Sequence, residues 1–321
     1  MPQRFGAWNP HARAMSAHII KDLSFFVRIA SMNNKHFVRV AHSPDADDIF
    51  MYYALAFGWV DCPDVCFENL ALDIETLNEN ALRSSYEISA ISFALYPLIA
   101  QNYALLRTGV SFGQGYGPKL IKRKGTQLKK NFKVALSGAH TTNALLFQIA
   151  YPDARVVYKN FLDIESAVVG GEVDAGVLIH ESILNFDASL CVEREIWEIW
   201  ENLSGGALPL PLGGMAILRS IPLHLALQIE ELLTKGVAMA HHHPQILSNM
   251  LHERKLLRIS GAELETYLRF YANEHSISLD DTQLDALDRL FALGHAHGFY
   301  PQKIAARDFL LPSEYMALRH S

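Results

Sequence analysis

Three cysteines in 321 residues are too few to staple a fold. Cys62, Cys66 and Cys191 make an odd count with no disulfide framework, which fits a reducing compartment. Cys62 and Cys66 are spaced CPDVC, but no second Cys or His pair nearby completes a zinc site, so they read as ordinary loop and strand thiols. Positive charge is short as well. Lys and Arg total 28 against 34 Asp and Glu, a formal net charge of −6, so the basic surplus of a nucleic-acid binder is missing. No apolar run approaches the ~18 residues of a membrane span, which argues against membrane insertion. H-E-x-x-H and Walker sequences are absent, and the common metalloprotease and nucleotide classes lose support with them. There is no repeat of solenoid type.

What is present is an ordinary globular composition, 50% apolar and 19% charged. The length suits two domains, each large enough for its own core. The first 35 residues stand apart. They carry Arg4, Arg13, Lys21, Arg28 and Lys35 against one acid, Asp22. Lys21, Asp22 and Arg28 break the apolar stretch from His18 to Ile29, so it does not read as a secretory signal. Residues 1–35 are expected to be an extension, either a tail or an upstream start, and the protein to be cytoplasmic. The basic run Lys119–Lys130 reads as a solvated strand and turn with Gly125 at its tip.

The pattern along the chain alternates strands and helices. Strands are expected over Phe37–Ala41, Phe67–Ile74 and Ile88–Phe93. Helices are expected over Asp45–Phe57 and Thr76–Ser84, with a short one after Tyr96-Pro97. Ser43 reads as the N-cap of the first helix, with Pro44 in its first turn and Asp45, Asp47 and Asp48 complementing its positive end. Gly113, Gly115 and Gly117 alternate in GVSFGQGYGPKLIKR, which reads as an extended crossover passing close to a ligand or another strand. Val134–Glu181 reads as strand, helix, strand, helix, strand. Glu195–Leu203 is an amphipathic helix with Ile196, Trp197, Trp200 and Leu203 on its apolar stripe. LPLPLGGMAILR, Leu208–Arg219, is a second crossover, and the chain finishes in helices from Pro222 onward. Two α/β lobes joined by two crossover segments make a clamshell, with 36–110 plus 220–321 in the first lobe and 111–219 in the second. Ligands favour such clefts.

Candidate chemistry clusters in Val134–Glu181. Thr141 and Thr142 follow the turn Ser137-Gly138-Ala139-His140 at a helix start, where amides, hydroxyls and the dipole suit a carboxylate or phosphate; plain capping explains the pair equally well. His180 ends an apolar strand. A neutral imidazole there can serve as a general base, or simply hold a backbone carbonyl. His140, Thr141, Thr142 and His180 can share one mouth, since ligands sit beyond the carboxyl ends of parallel strands. His241, His242 and His243 point in different directions on a helix and read as a solvated face rather than a metal site.

Several segments together resemble one family. HSPDADDIFMYYAL, ISFALYP, GQGYGP, ALSGAHTTNALL, GVLIHE and WEIWENLSGGALPLPLGG look like the 1,4-dihydroxy-6-naphthoate synthases of the futalosine route to menaquinone, over about residues 36–300. LIHE and LPLPLGG are the most diagnostic pieces. The resemblance implies the type II periplasmic-binding-protein fold and cofactor-free cleavage of cyclic dehypoxanthinylfutalosine, a small-molecule carboxylate. It places the catalytic base on His180, carboxylate binding on Thr141 and Thr142, and the serine that opens the first helix on Ser43. Ser92, Gln114 and Tyr116 are candidates by position for the substrate's hydroxyls. No metal and no nucleic acid are implied, and a homodimer is left open. One departure stands out: where the family often has Ser-Pro-Cys-Pro-Asn-Asp-Thr-Phe, this chain has Ser43-Pro44-Asp45-Ala46-Asp47-Asp48-Ile49-Phe50. Chorismate dehydratase, of the same fold and pathway, is the alternative enzyme, and LIHE speaks against it. A small-anion-binding protein is the non-catalytic alternative.

Overall fold

The computed structural model describes residues 35–312 apart from positions 207 and 260. The N-terminal extension considered above therefore lies almost wholly outside the described residues. Residues 35–37 and 62–66 belong to a small unit of their own. In it the Lys35 ammonium donates to the Cys62 carbonyl at 2.9 Å and the His36 amide to the Asp64 carbonyl at 2.8 Å.

In chain order the strands are β1 His36–His42, β2 Val65–Ala71, β3 Ile88–Ser92, β4 Tyr103–Leu105, β5 Ser111–Gly113, β6 Lys119–Arg123, β7 Lys133–Leu136, β8 Arg155–Tyr158, β9 Ala175–Leu178, β10 Leu190–Glu195 and β11 Leu210–Leu218. The α-helices are α1 Ala46–Ala56, α2 Ile74–Leu82, α3 Tyr96–Ile99, α4 Thr142–Ala150, α5 Phe161–Val169, α6 Ile196–Ser204, α7 Leu223–His242, α8 Pro244–Glu253, α9 Gly261–Tyr271 and α10 Asp281–Ala296. The protein is α/β, with two mixed sheets in a two-lobed clamshell. The first sheet runs β2-β1-β3-β11-β4, with β5 also paired to β11. The second runs β10-β6-β9-β7-β8. The second sheet draws only on residues 119–195. β5 and β11, from inside the 111–219 span, pair with the first sheet.

The Val134–Glu181 unit folds as its pattern predicts. β7 is parallel to both β8 and β9 and lies between them, so the chain reverses its direction of travel across the sheet at β7. A crevice opens beyond the carboxyl end of a strand at such a switch point. β1 plays the same part in the first sheet, flanked by β2 and parallel to β3. The strand ends at Ser43, Ser92 and Ser137 are thereby set up for a ligand. The crossovers read from the glycines are strands in their own right. β11 pairs antiparallel with β3, placing Gly213 opposite Ser92.

Helix ends mostly follow their residues. Asp73 caps α2, accepting from the Thr76 amide at 3.2 Å, and Gly205 closes α6 in the left-handed conformation at φ +88°. Trp200 on α6 is fully buried and its indole donates to the Leu208 carbonyl at 2.8 Å. It shares one apolar core with Leu146 and Phe147 of α4 and with Phe93 beside β3. Complete burial of each such side chain stabilises by about 1.5–3 kcal/mol, enough to hold α4 rigid at the cleft.

Candidate functional site

One cavity gathers residues from both sheets: Ser43, Asp45, Asp47 and Asp48 after β1, Ser92 at the end of β3, Thr141–Asn143 after β7, His180 after β9, and Leu212–Gly214 of β11. On one side stands the N-terminus of α4. Thr141 is its N-cap, accepting from the Ala144 amide at 3.3 Å and donating to the Gly138 carbonyl at 3.1 Å. The Thr142 hydroxyl donates to the Leu212 carbonyl at 3.1 Å and accepts from the Ala94 amide at 3.2 Å. Both hydroxyls therefore hold the turn in place. The first-turn amides, which have no acceptor within a helix, are what remains for an anion.

On the other side stand the acids that open α1. Asp45, not Ser43, is the N-cap residue, and its side chain makes no capping bond. Its Oδ2 is in contact with His180 Nδ1 instead. The Ser43 amide donates to Asp48 Oδ2 at 2.7 Å, because Asp48 folds back over the start of the helix. His180 Nε2 is buried without a hydrogen-bond partner among the described residues. A buried polar atom left unmatched costs about 1–3 kcal/mol, so a polar group of a ligand would be welcome there.

His180 is built into this spot with care. The strand expected to run to it stops at Leu178, and His180 opens a 3-10 turn, His180–Ile183, with φ +54°, a left-handed backbone rare for a residue with a side chain. Its ring meets Phe161 edge-on at 5.0 Å between centroids. Its side chain is only 14% exposed. Glu181, next in the same 3-10 turn, reaches α1 instead. Its Oε1 accepts from the Ala46 amide at 2.9 Å and its Oε2 from Arg258 at 3.3 Å. Arg258 also donates to the Pro44 carbonyl and lies over the Phe161 ring. The orienting partner of His180 is thus Asp45, and Glu181 ties the strand end to α1.

The electrostatics divide the acids into two kinds. Burial pushes the Asp45 carboxyl up, but the charge and hydrogen bond of His180 overcome it and leave the group below its ordinary value. Burial likewise lowers His180, yet the Asp45 carboxylate, with help from Glu181 and Asp47, carries it above the ordinary histidine value. Asp47 is raised well above the carboxylate range by burial and then by the Asp45 charge, although the Tyr267 hydroxyl donates to its Oδ1 at 3.0 Å. Asp48 is raised by burial and by both neighbouring acids. Of the three acids, Asp45 is the one held below its ordinary value, and it is the one that faces the imidazole.

Of the residues singled out in the sequence, His180, Ser43, Ser92, Thr141 and Thr142 share this cavity. Gln114 and Tyr116 do not line it. They line a separate cavity with Phe112 and Asp280, because β5 carries them past the cleft and Tyr116 stacks on Phe270 at 4.4 Å. His140 turns away to Glu75, Nδ1 to Oε1 at 2.8 Å. Ser92 accepts from Asn78 Nδ2 at 3.1 Å. Sequence reasoning took Asp45 and Asp47 for helix-dipole partners and passed over Tyr267. The signal for Asp45 was its departure from the Cys of the similar family.

Residues 38–296 match the family model described as menaquinone biosynthesis. The chain belongs to the menaquinone-biosynthesis family. Among the family's curated members, a 1,4-dihydroxy-6-naphthoate synthase of Thermus thermophilus is 32% identical over 81% of this chain and 95% of its own. One of Streptomyces coelicolor is 28% identical over 82% of this chain and 95% of its own. A crystal structure of a protein from Archaeoglobus fulgidus superposes with a TM-score of 0.74 at 32% identity, covering 82% of this chain and 98% of that one. The alkanesulfonate-binding protein of Xanthomonas axonopodis bound to MOPS gives 0.63 at 12% identity over 85% and 97%, a likeness of fold alone. Family membership makes this chain a protein of menaquinone biosynthesis on a periplasmic-binding-protein fold. No helix among the described residues is long and apolar enough to cross a membrane.

Proposed function

We propose that this protein is a 1,4-dihydroxy-6-naphthoate synthase, a lyase that cleaves cyclic dehypoxanthinylfutalosine with His180 as general base and no cofactor. The single observation that carries the reading is that His180, whose buried Nε2 has no partner among the described residues, lines the same cavity as the N-terminus of α4. The substrate carboxylate docks on the first-turn amides of α4 and is held there by the dipole. That contact orients the reacting ring against Nε2. The neutral imidazole takes a substrate proton, and carbon–carbon cleavage follows, drawn forward by aromatisation of the bicyclic product. Contacts between the α4 turn and β11, and between Glu181 and α1, brace the walls of the cavity, and closure of the lobes over a bound substrate would exclude water from the base.

The test is to incubate purified protein with cyclic dehypoxanthinylfutalosine in the presence of a metal chelator and detect 1,4-dihydroxy-6-naphthoate. Wild type is expected to turn over, and His180→Ala to lose about 10²–10⁴-fold in kcat while folding normally. Turnover of chorismate instead would make the protein a dehydratase. Tight binding with no turnover of either compound would make it a binding protein.

A further inference from the structure

Two local rules are broken on either side of the same contact. Asp45 sits at the N-cap of α1 with the extended backbone that capping needs, φ −80° and ψ 164°, yet gives up the cap. Facing it, His180 adopts a left-handed backbone at φ +54°, a conformation that strains a residue with a side chain. Both departures bring Asp45 Oδ2 to His180 Nδ1. Neither residue needs the other for its own element, since α1 and β9 are separately packed in buried apolar surroundings.

We propose that Asp45 is a positioning residue for His180: its carboxylate holds the imidazole in the Nδ1–H form and turns the bare Nε2 into the cavity. This rests on the reading of His180 as the base. A neutral imidazole has one nitrogen with a proton and one without, and the hydrogen bond at one nitrogen decides which is free to accept. Asp45 Oδ2 can only accept, so the proton stays on Nδ1 and Nε2 keeps its lone pair. The other charged or titratable groups around the ring have their own partners. Asp47 takes the Tyr267 hydroxyl, Asp48 the Ser43 amide, and Glu181 the Ala46 amide and Arg258. His42, beside Asp45, hydrogen-bonds the Ser43 carbonyl through Nδ1 at 2.7 Å, and Tyr271 packs on Tyr267 at 4.8 Å. None of them competes for Nδ1.

Asp45→Asn, Asp45→Ala and His180→Ala are compared with wild type in steady-state kinetics from pH 5 to 9. Asp45→Ala is expected to lower kcat about 10–100-fold with a smaller change in KM. In both Asp45 variants the acidic limb of kcat/KM moves to lower pH, because the negative charge that favours imidazolium is gone. If His180→Ala is inactive but Asp45→Ala keeps kcat within twofold and the limb stays put, Asp45 does not position the base. If His180→Ala itself keeps its turnover, the base reading fails first. Should the Asp45 variants not fold, ¹⁵N spectra of wild type decide, with the His180 signals assigned by their loss in His180→Gln. Protonated Nδ1 and bare Nε2 at high pH are expected, and the reverse tautomer overturns the proposal.

Discussion

At the scale of single residues, the three acids that open α1 show how one sequence feature divides into different physical roles. A run of Asp at a helix start is ordinary dipole chemistry. Here burial makes three adjacent charges untenable. The histidine that faces Asp45 holds its carboxyl below the ordinary value, while burial and the neighbouring acids push Asp47 and Asp48 above it. Asp47 has a testable consequence. Its folded-state pKa lies above the unfolded value of about 3.9, so the stability it contributes is present below that pH and is lost as pH rises through the folded value. Asp47→Asn removes this titration and keeps an oxygen for Tyr267 to bond. The melting temperature of the variant relative to wild type is expected to be higher at pH 8 than at pH 4. An equal difference at both pH values would show that Asp47 is not held neutral.

At the scale of elements, the turn before α4 is held by α2 as much as by its own residues. Glu75, in the first turn of α2, accepts from the Ala139 amide at 2.8 Å and from the His140 amide and ring. Gly138 lets it in: a Cβ there would sit 2.2 Å from Glu75 Oε2. The Glu75 hydrogen bond raises His140 against the opposing effect of burial. A raised histidine stabilises the fold fully below its unfolded pKa of about 6.5, and the contribution fades as pH climbs through the folded value. Urea unfolding of Glu75→Gln should therefore show a larger loss relative to wild type at pH 6 than at pH 9. A loss that does not change with pH would mean that the amide bonds alone hold the turn. The expectation that His140 joins the ligand mouth followed from its place beside Thr141, which could not reveal an acid 65 residues earlier in the chain.

At the scale of the whole molecule, the cavity exists only where the two sheets present their strand ends to each other. Ser43 and Ser92 come from the first sheet, Thr141, Thr142 and His180 follow strands of the second, and β11 supplies the wall between them. A ligand bridging these groups binds the folded chain and not the unfolded one. 1,4-Dihydroxy-6-naphthoate at a hundred times its Kd should add about 2.7 kcal/mol to unfolding. Amide exchange should slow in residues 44–50, 89–94 and 141–147 alike. Protection confined to 141–147 would place the carboxylate on α4 without engagement of the first sheet.

The residues by themselves determined the alternating α/β order, the βαβαβ unit from Val134 to Glu181, and the placing of His180, Thr141 and Thr142 at one mouth. These are local matters: apolar period, turn residues and cap residues act within a few positions of one another. Tertiary structure decided which groups meet. Asp45 faces His180 across 135 positions of chain, Gln114 and Tyr116 are carried to another cavity by β5, and β11 returns to the first sheet rather than the second. Such pairings depend on how sheets and crossovers pack, and side-chain pattern along a strand carries no record of the partner on the far side of a cleft.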